Sequence, residues 1–255
     1  MEQMQQVQRV VQKKKPQWFD KEKQLDVKKY IKQVQLKLSN KPKPNLLTKP
    51  TTGIDKKILE SAGIMERFQY IKFENVIPTG DIKENANMVL NYANNIEQHI
   101  ANGEGLILSG SYGTMKTTLA ICVLRKYLEQ GGRGLFVPMC SMMDSLYSMK
   151  ARSVEEWINY ENRLRNTSLL VVDDLGSEDV SAPWVLSKVN SIITERYNRK
   201  KSIIVTTNLT KEELAKTYAG RIIDRLRSTN YYISFTGKTK RVGLKTSDLR
   251  GNKHE

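Results

Sequence analysis

Gly110-Ser111-Tyr112-Gly113-Thr114-Met115-Lys116-Thr117 is the stretch with the clearest chemistry. The apolar run Leu106-Ile107-Leu108 leads into it, and Thr118-Leu119-Ala120-Ile121-Cys122-Val123-Leu124 follows with helical character. Strand, glycine-containing loop, Lys-Thr and helix make the layout of a phosphate-binding loop. Small residues let backbone N–H groups curl around phosphate oxygens, and the following helix points its positive dipole end at the same anion. Residues Gly110 to Thr118 would form the cradle. Lys116 would bring a mobile cation to the terminal phosphates of ATP, and Thr117 a hydroxyl to Mg²⁺. Met115 stands where the pattern G-x-x-x-x-G-K-[ST] has its last glycine. It fits if its φ is negative and its side chain points away from the phosphates. The expected consequence is slower nucleotide exchange or hydrolysis, with binding kept.

A second group lies further on. Leu169-Leu170-Val171-Val172 ends in Asp173-Asp174, 57 residues after Lys116. An acid at the C-terminal end of a parallel strand opens into the crevice where ligands sit. Asp173 is placed to hold Mg²⁺, and Asp174 to orient or deprotonate an attacking water. Taken alone, such a run also suits a turn or a helix N-cap. Ile203-Ile204-Val205-Thr206-Thr207-Asn208 likewise ends polar, so Asn208 can serve the γ-phosphate or its water, or a turn. Gly220-Arg221-Ile222-Ile223-Asp224-Arg225-Leu226 sets two arginines four residues apart on one helical face. A guanidinium at a γ-phosphate stabilises transition-state charge, and a surface ion pair is the plainer use. Arg241, in a basic loop, is a further candidate phosphate contact.

These residues need rigid elements behind them. Strands are expected at 106–109, 134–138, 168–172, 202–205 and 231–235. Helices are expected at 116–130, 142–149, 154–165, 184–198, 211–216 and 221–226, with a further helix whose apolar face is Ala86, Val89, Leu90, Ala93, Ile96 and Ile100. Continuous apolar strands alternating with helices imply a parallel sheet covered on both faces. The methionines at 139, 142, 143 and 149 read as core filler. Upstream, residues 1–38 read as a polar, basic helical region with a narrow stripe of Val27, Tyr30, Ile31, Val34 and Leu38. Residues 39–62 form a linker with three prolines and a short helix at 56–62; residues 63–245 are the main α/β domain, entered by an extended segment at 70–75, and 246–255 a tail.

Net charge is +15, and residues 1–60 hold 15 basic against 6 acidic residues. That surplus suits a polyanion such as nucleic acid, or a solvated lysine-rich surface. Cys122 and Cys140 form no CxxC pair, and His99 and His254 are isolated, so neither a zinc site nor a disulfide framework is expected. No apolar run spans a membrane, and the N-terminus has no apolar signal region, so a reducing cytoplasmic setting is expected.

The phosphate loop, Asp173-Asp174-Leu175-Gly176-Ser177-Glu178, Thr206-Thr207-Asn208 and Gly220-Arg221-Ile222-Ile223-Asp224-Arg225-Leu226 occur in the order that resembles the DnaC/DnaI-like AAA+ ATPases, the bacterial and phage helicase loaders, with the IstB-type transposition helpers as near kin. The resemblance covers about residues 60–241 and includes the entry Gly63-Ile64-Met65-Glu66-Arg67-Phe68. It implies an AAA+ P-loop NTPase domain with a five-stranded parallel sheet and little or no lid. It makes Lys116 and Thr117 the Walker A pair, Asp173 and Asp174 the Walker B pair, and Asn208 sensor 1. Arg225 becomes the finger that reaches a neighbouring subunit's nucleotide in a homo-oligomer, and Arg241 matches sensor 2. It further implies a Mg²⁺-dependent ATPase that loads a replicative hexameric helicase, gripped by residues 1–60, onto single-stranded DNA in a bacterial cell, encoded by the bacterium or its phage. A transposition helper remodelling a transposase on duplex DNA is the alternative, and a non-hydrolysing DNA adaptor a third reading.

Overall fold

The structure is a computed structural model that describes residues 54–76, 78, 80–218, 220–237 and 239. The expected helical region 1–38, the proline-bearing part of the linker, Arg241 and the tail at 246–255 lie outside the described residues.

Five parallel strands form one sheet in the order β2-β3-β4-β1-β5: β1 Gly105–Gly110, β2 Gly134–Pro138, β3 Leu169–Asp173, β4 Ser202–Thr207 and β5 Asn230–Phe235. β1 lies between β4 and β5, with Leu106 opposite Ile204 on one side and Tyr231 on the other. Side chains alternate between faces, and both faces are apolar. Leu106, Leu108, Val171, Ile204 and Ile233 pack into one cluster, whereas Ile107, Leu170, Val172, Ile203 and Val205 pack into the other. This double burial is why the strands read as unbroken hydrophobic runs.

The first cluster is covered by α1 (Lys56–Ser61), α2 (Lys83–Asn94), α3 (Ile96–Asn102) and α4 (Lys116–Glu129). α4 is buried nearly all round, including Leu119 to Leu124, because the sheet lies on one side and α1, α2 and α3 on the other. The second cluster is covered by α5 (Met139–Arg152), α6 (Val154–Asn166), α7 (Pro183–Asn198), α8 (Lys211–Thr217) and α9 (Gly220–Thr229). Met139, Met142 and Met143 are buried there, as core filler should be, whereas Met149 is only half-buried and lies outside the cluster. α5 starts three residues earlier than expected, because Pro138 ends β2 and caps the helix with φ −65°.

Two local readings are corrected. The apolar face 86–100 belongs to two helices, broken at Asn95 with φ −113° and ψ 27°. Asn95 turns its Nδ2 back to Asn91 O, the local competition that makes Asn a poor helix interior residue. The expected extended segment 70–75 contains a 3₁₀ turn, Phe73–Asn75, with Asn75 Nδ2 donating to Tyr70 O across it, and another 3₁₀ turn, Glu66–Phe68, precedes it. Just before them, Ala62 O accepts the N–H of Phe136 at 2.7 Å, which satisfies part of the exposed β2 edge.

One buried cation pins the other end of the sheet. Arg196 donates from Nη1 to Leu164 O (2.8 Å) and Thr167 O (3.0 Å), and from Nη2 to Ser202 O, tying the end of α6 to the starts of β3 and β4. Burial lowers its pKa to about 9. Among the described residues, no helix is long and apolar enough to cross a membrane, and no cluster of three His, Cys, Asp or Glu forms a metal site.

Candidate functional site

The C-terminal ends of β1, β3 and β4 converge on one crevice. β1 delivers Gly110, whose φ is +142° and whose absent Cβ would fall 1.9 Å from Phe235 O. Only glycine lets the chain leave the sheet there. Thr114 Oγ1 donates to Ser111 O at 2.8 Å and Ser111 Oγ to Gly237 O at 3.1 Å, so the loop is closed by its own hydroxyls and by the segment after β5. A Cβ on Gly113 would come within 2.0 Å of Thr239 Oγ1, which places that segment directly against the loop. Tyr112 stands out into solvent, and Thr118 is half-buried in the first turn of α4.

Met115 contradicts its expected conformation. Its φ is +70° and ψ 11°, left-handed, so it keeps the backbone that the usual glycine would have and carries the strain. Its side chain packs against the first core cluster. That contact offsets part of the strain.

Lys116 is folded inward, 6% exposed, with Nζ donating to Gly110 O (2.8 Å), Ser111 O (2.9 Å) and Asn208 Oδ1 (2.9 Å). Thr117 Oγ1 donates to Asp173 Oδ1 at 2.8 Å. Thr206 Oγ1 donates to the same oxygen at 2.6 Å and accepts the N–H of Asp174 at 2.9 Å. Asn208 Nδ2 donates to Asp174 Oδ1, so Asn208 bridges the lysine and the second acid. Asp174 sits at φ +61°, a left-handed conformation that Asp tolerates better than most residues. Lys116, Thr117, Asp173, Asp174 and Asn208 thus form one connected network.

Burial raises the pKa of Asp173, against the lowering effect of the Thr206 and Thr117 hydroxyls. Neighbouring Asp174 raises it further and Lys116 lowers it. The hydroxyl of Thr117 and the carboxylate of Asp173 are hard oxygen donors a hydrogen bond apart, a set that suits Mg²⁺.

Arg225 is elsewhere. It lies half-buried on α9 with its guanidinium 6.0 Å from the ring centroid of Tyr197, near the end of α7. Among the described residues, no hydrogen bond or ion pair links its side chain to the network. Arg221 is exposed on the same helix. Thr206 was not singled out by sequence reasoning. The signal available was a hydroxyl closing an apolar strand beside the one that ends in two acids.

The model of the IstB-like ATP binding protein family matches residues 85–247. The chain belongs to that family. The match takes in β1, the whole network and α9. Among curated relatives, the family member is similar to the replicative helicase loader DnaC of Escherichia coli K12, at 28% identity over 135 residues, 53% of this chain and 55% of the relative. It is also similar to a putative ATP-binding protein of insertion sequence IS21 from Pseudomonas aeruginosa, at 27% over 148 residues, 56% of this chain and 54% of that one. The chain spans about half the length of these curated relatives. Among solved structures, a crystal structure of the DnaC helicase loader superposes with a TM-score of 0.60 at 26% identity, over 68% of this chain and all of that one. The fold is that of an AAA+ domain.

Proposed function

We propose that this chain is a Mg²⁺-dependent ATPase that loads a replicative DNA helicase onto DNA. The observation that carries the ATPase part is the single network from Lys116 through Asn208 and Asp174 to Thr206, Asp173 and Thr117. Lys116 would exchange its loop carbonyls for phosphate oxygens. Thr117 and Asp173 would hold the metal, which neutralises phosphate charge when bound. Asp174 would orient and deprotonate the attacking water, kept in place by Asn208. Arg225, and beyond the described residues Arg241, would supply positive charge, Arg225 from a neighbouring copy in a homo-oligomer. Met115 would slow the cycle and leave binding intact.

The loader reading is supported by similarity to DnaC in sequence and fold, and by the charge of residues 1–60, which would engage the hexameric helicase while other basic residues hold single-stranded DNA. The test uses the full chain with a hexameric replicative helicase, single-stranded DNA and ATP. Loading should occur with the parent and fall at least about a hundredfold in Lys116→Ala, with nucleotide binding lost. A parent that binds no nucleotide overturns the ATPase reading; one that hydrolyses ATP yet never binds a helicase overturns the loader reading. The IS21 relative supports a second reading, a helper that remodels a transposase on duplex DNA. Co-purification with a transposase instead of a helicase would favour it.

A further inference from the structure

Glu178 closes the loop that starts at Asp174, and it is 8% exposed. Its Oε2 accepts the N–H of Gly176 at 2.8 Å, and its Oε1 accepts the hydroxyl of Tyr218. Both donors are neutral. A buried carboxyl group must recover its lost hydration through hydrogen bonds, and these two donors supply them. A role limited to filling space would suit an apolar residue better. An acid offers two acceptor oxygens, and here they hold two segments 40 residues apart in sequence.

The segments differ in what they carry. On one side, Asp174 and Gly176 have φ of +61° and +100°, Ser177 N–H donates to Asp174 O at 3.1 Å, and Asp174 receives Asn208 Nδ2. The short loop thus links Asp174 to Glu178 through the backbone of Gly176 and Ser177. On the other side, Tyr218 is 1% exposed, and its N–H donates to Leu214 O at 3.0 Å as it ends α8. α9 begins two residues later and bears Arg221 and Arg225.

We propose that Glu178 and Tyr218 are positioning residues that couple the Asp174 loop to α9, so that nucleotide in one subunit sets where its arginines are offered to the next. The inference rests on reading the Lys116 network as a nucleotide site. The pair touches no reacting atom and acts through Asp174 and α9.

Hydrogen exchange tests it, on the full chain and on Tyr218→Phe, with and without Mg²⁺ and a non-hydrolysable ATP analogue. The analogue should slow exchange in residues 110–118 of both proteins. In residues 220–229 it should slow exchange at least about fivefold in the parent and less than about twofold in Tyr218→Phe. Glu178→Ala should lose the response in the same way, and serves if Tyr218→Phe folds poorly. A purely structural pair would speed exchange of α9 equally with and without the analogue and leave the response intact. That result, or a parent α9 that ignores the analogue while residues 110–118 respond, overturns the coupling. No response in residues 110–118 of the parent instead removes the nucleotide reading and this inference with it.

Discussion

The two loops that meet in the crevice are held in opposite ways. The phosphate loop is held largely from within: Thr114 and Lys116 bond carbonyls of Gly110 and Ser111, and the left-handed Met115 turns the chain into α4. The acid loop is held from outside. Leu175 N–H donates to Thr206 O, Thr207 Oγ1 donates to Leu175 O, Thr206 bridges both acids, and Asn208 holds Asp174. A loop that closes on itself leaves a short local pattern in sequence. A loop closed by residues some 30 positions away leaves one only after folding. Under the proposed function the two loops have separate work, binding for the first and chemistry for the second.

The largest effect should come from the acid loop. Asp174→Asn keeps the oxygen that accepts Asn208 Nδ2, so affinity for a non-hydrolysable ATP analogue should change by less than about threefold while kcat falls about 10²- to 10⁴-fold. Loss of affinity on that scale would erase the division of labour. Thr206→Val removes the donor to Asp173 and the acceptor of Asp174 N–H together. It should cost about 1–3 kcal/mol, read as a lower midpoint in thermal or denaturant unfolding. A neutral outcome would mean that the Thr206 hydroxyl does not help to hold the acid loop.

Asp173→Asn sharpens the contrast through pH. Burial raises the pKa of Asp173, so the fold favours its protonated form. The stability this contributes is present below the usual carboxylate range and is lost as pH rises through the raised value. Above the raised value and without metal, the ionised acid therefore costs stability, and Asp173→Asn should raise Tm there. The gain should shrink as pH falls below the usual carboxylate range, and Mg²⁺ with nucleotide should stabilise the parent alone. Tm measured across pH with and without Mg²⁺ checks both signs.

The smallest effect belongs to Met115. Met115→Ala keeps the left-handed strain and loses the core contact, whereas Met115→Gly loses the contact and relieves the strain. Glycine should be the more stable variant by about 1 kcal/mol, net of its greater freedom when unfolded. Chemical denaturation of the two variants decides; alanine above glycine would contradict the positive φ.

Much of this was legible beforehand, and the reasons are physical. The double-faced apolar strands, the helix after Lys116 and the glycines at 110 and 113 follow from local rules of burial and backbone freedom. The break at Asn95 and the 3₁₀ turns near Phe68 and Phe73 were not legible, because they depend on side chains bonding nearby backbone in one of several possible ways. The sign of φ at Met115 was also out of reach, since a methionine by itself prefers the opposite one.

Read alone, the order and types of the residues determined that a phosphate loop, an acid pair, Asn208 and an arginine helix exist, since each is a short pattern with its own stereochemistry. Tertiary structure decided which of them touch. It brought Asn208 between Lys116 and Asp174, set Thr206 beneath both acids, left Arg225 against Tyr197 and joined Glu178 to Tyr218. Those choices depend on strand order and register, because β3 and β4 become neighbours only when the whole parallel sheet is assembled.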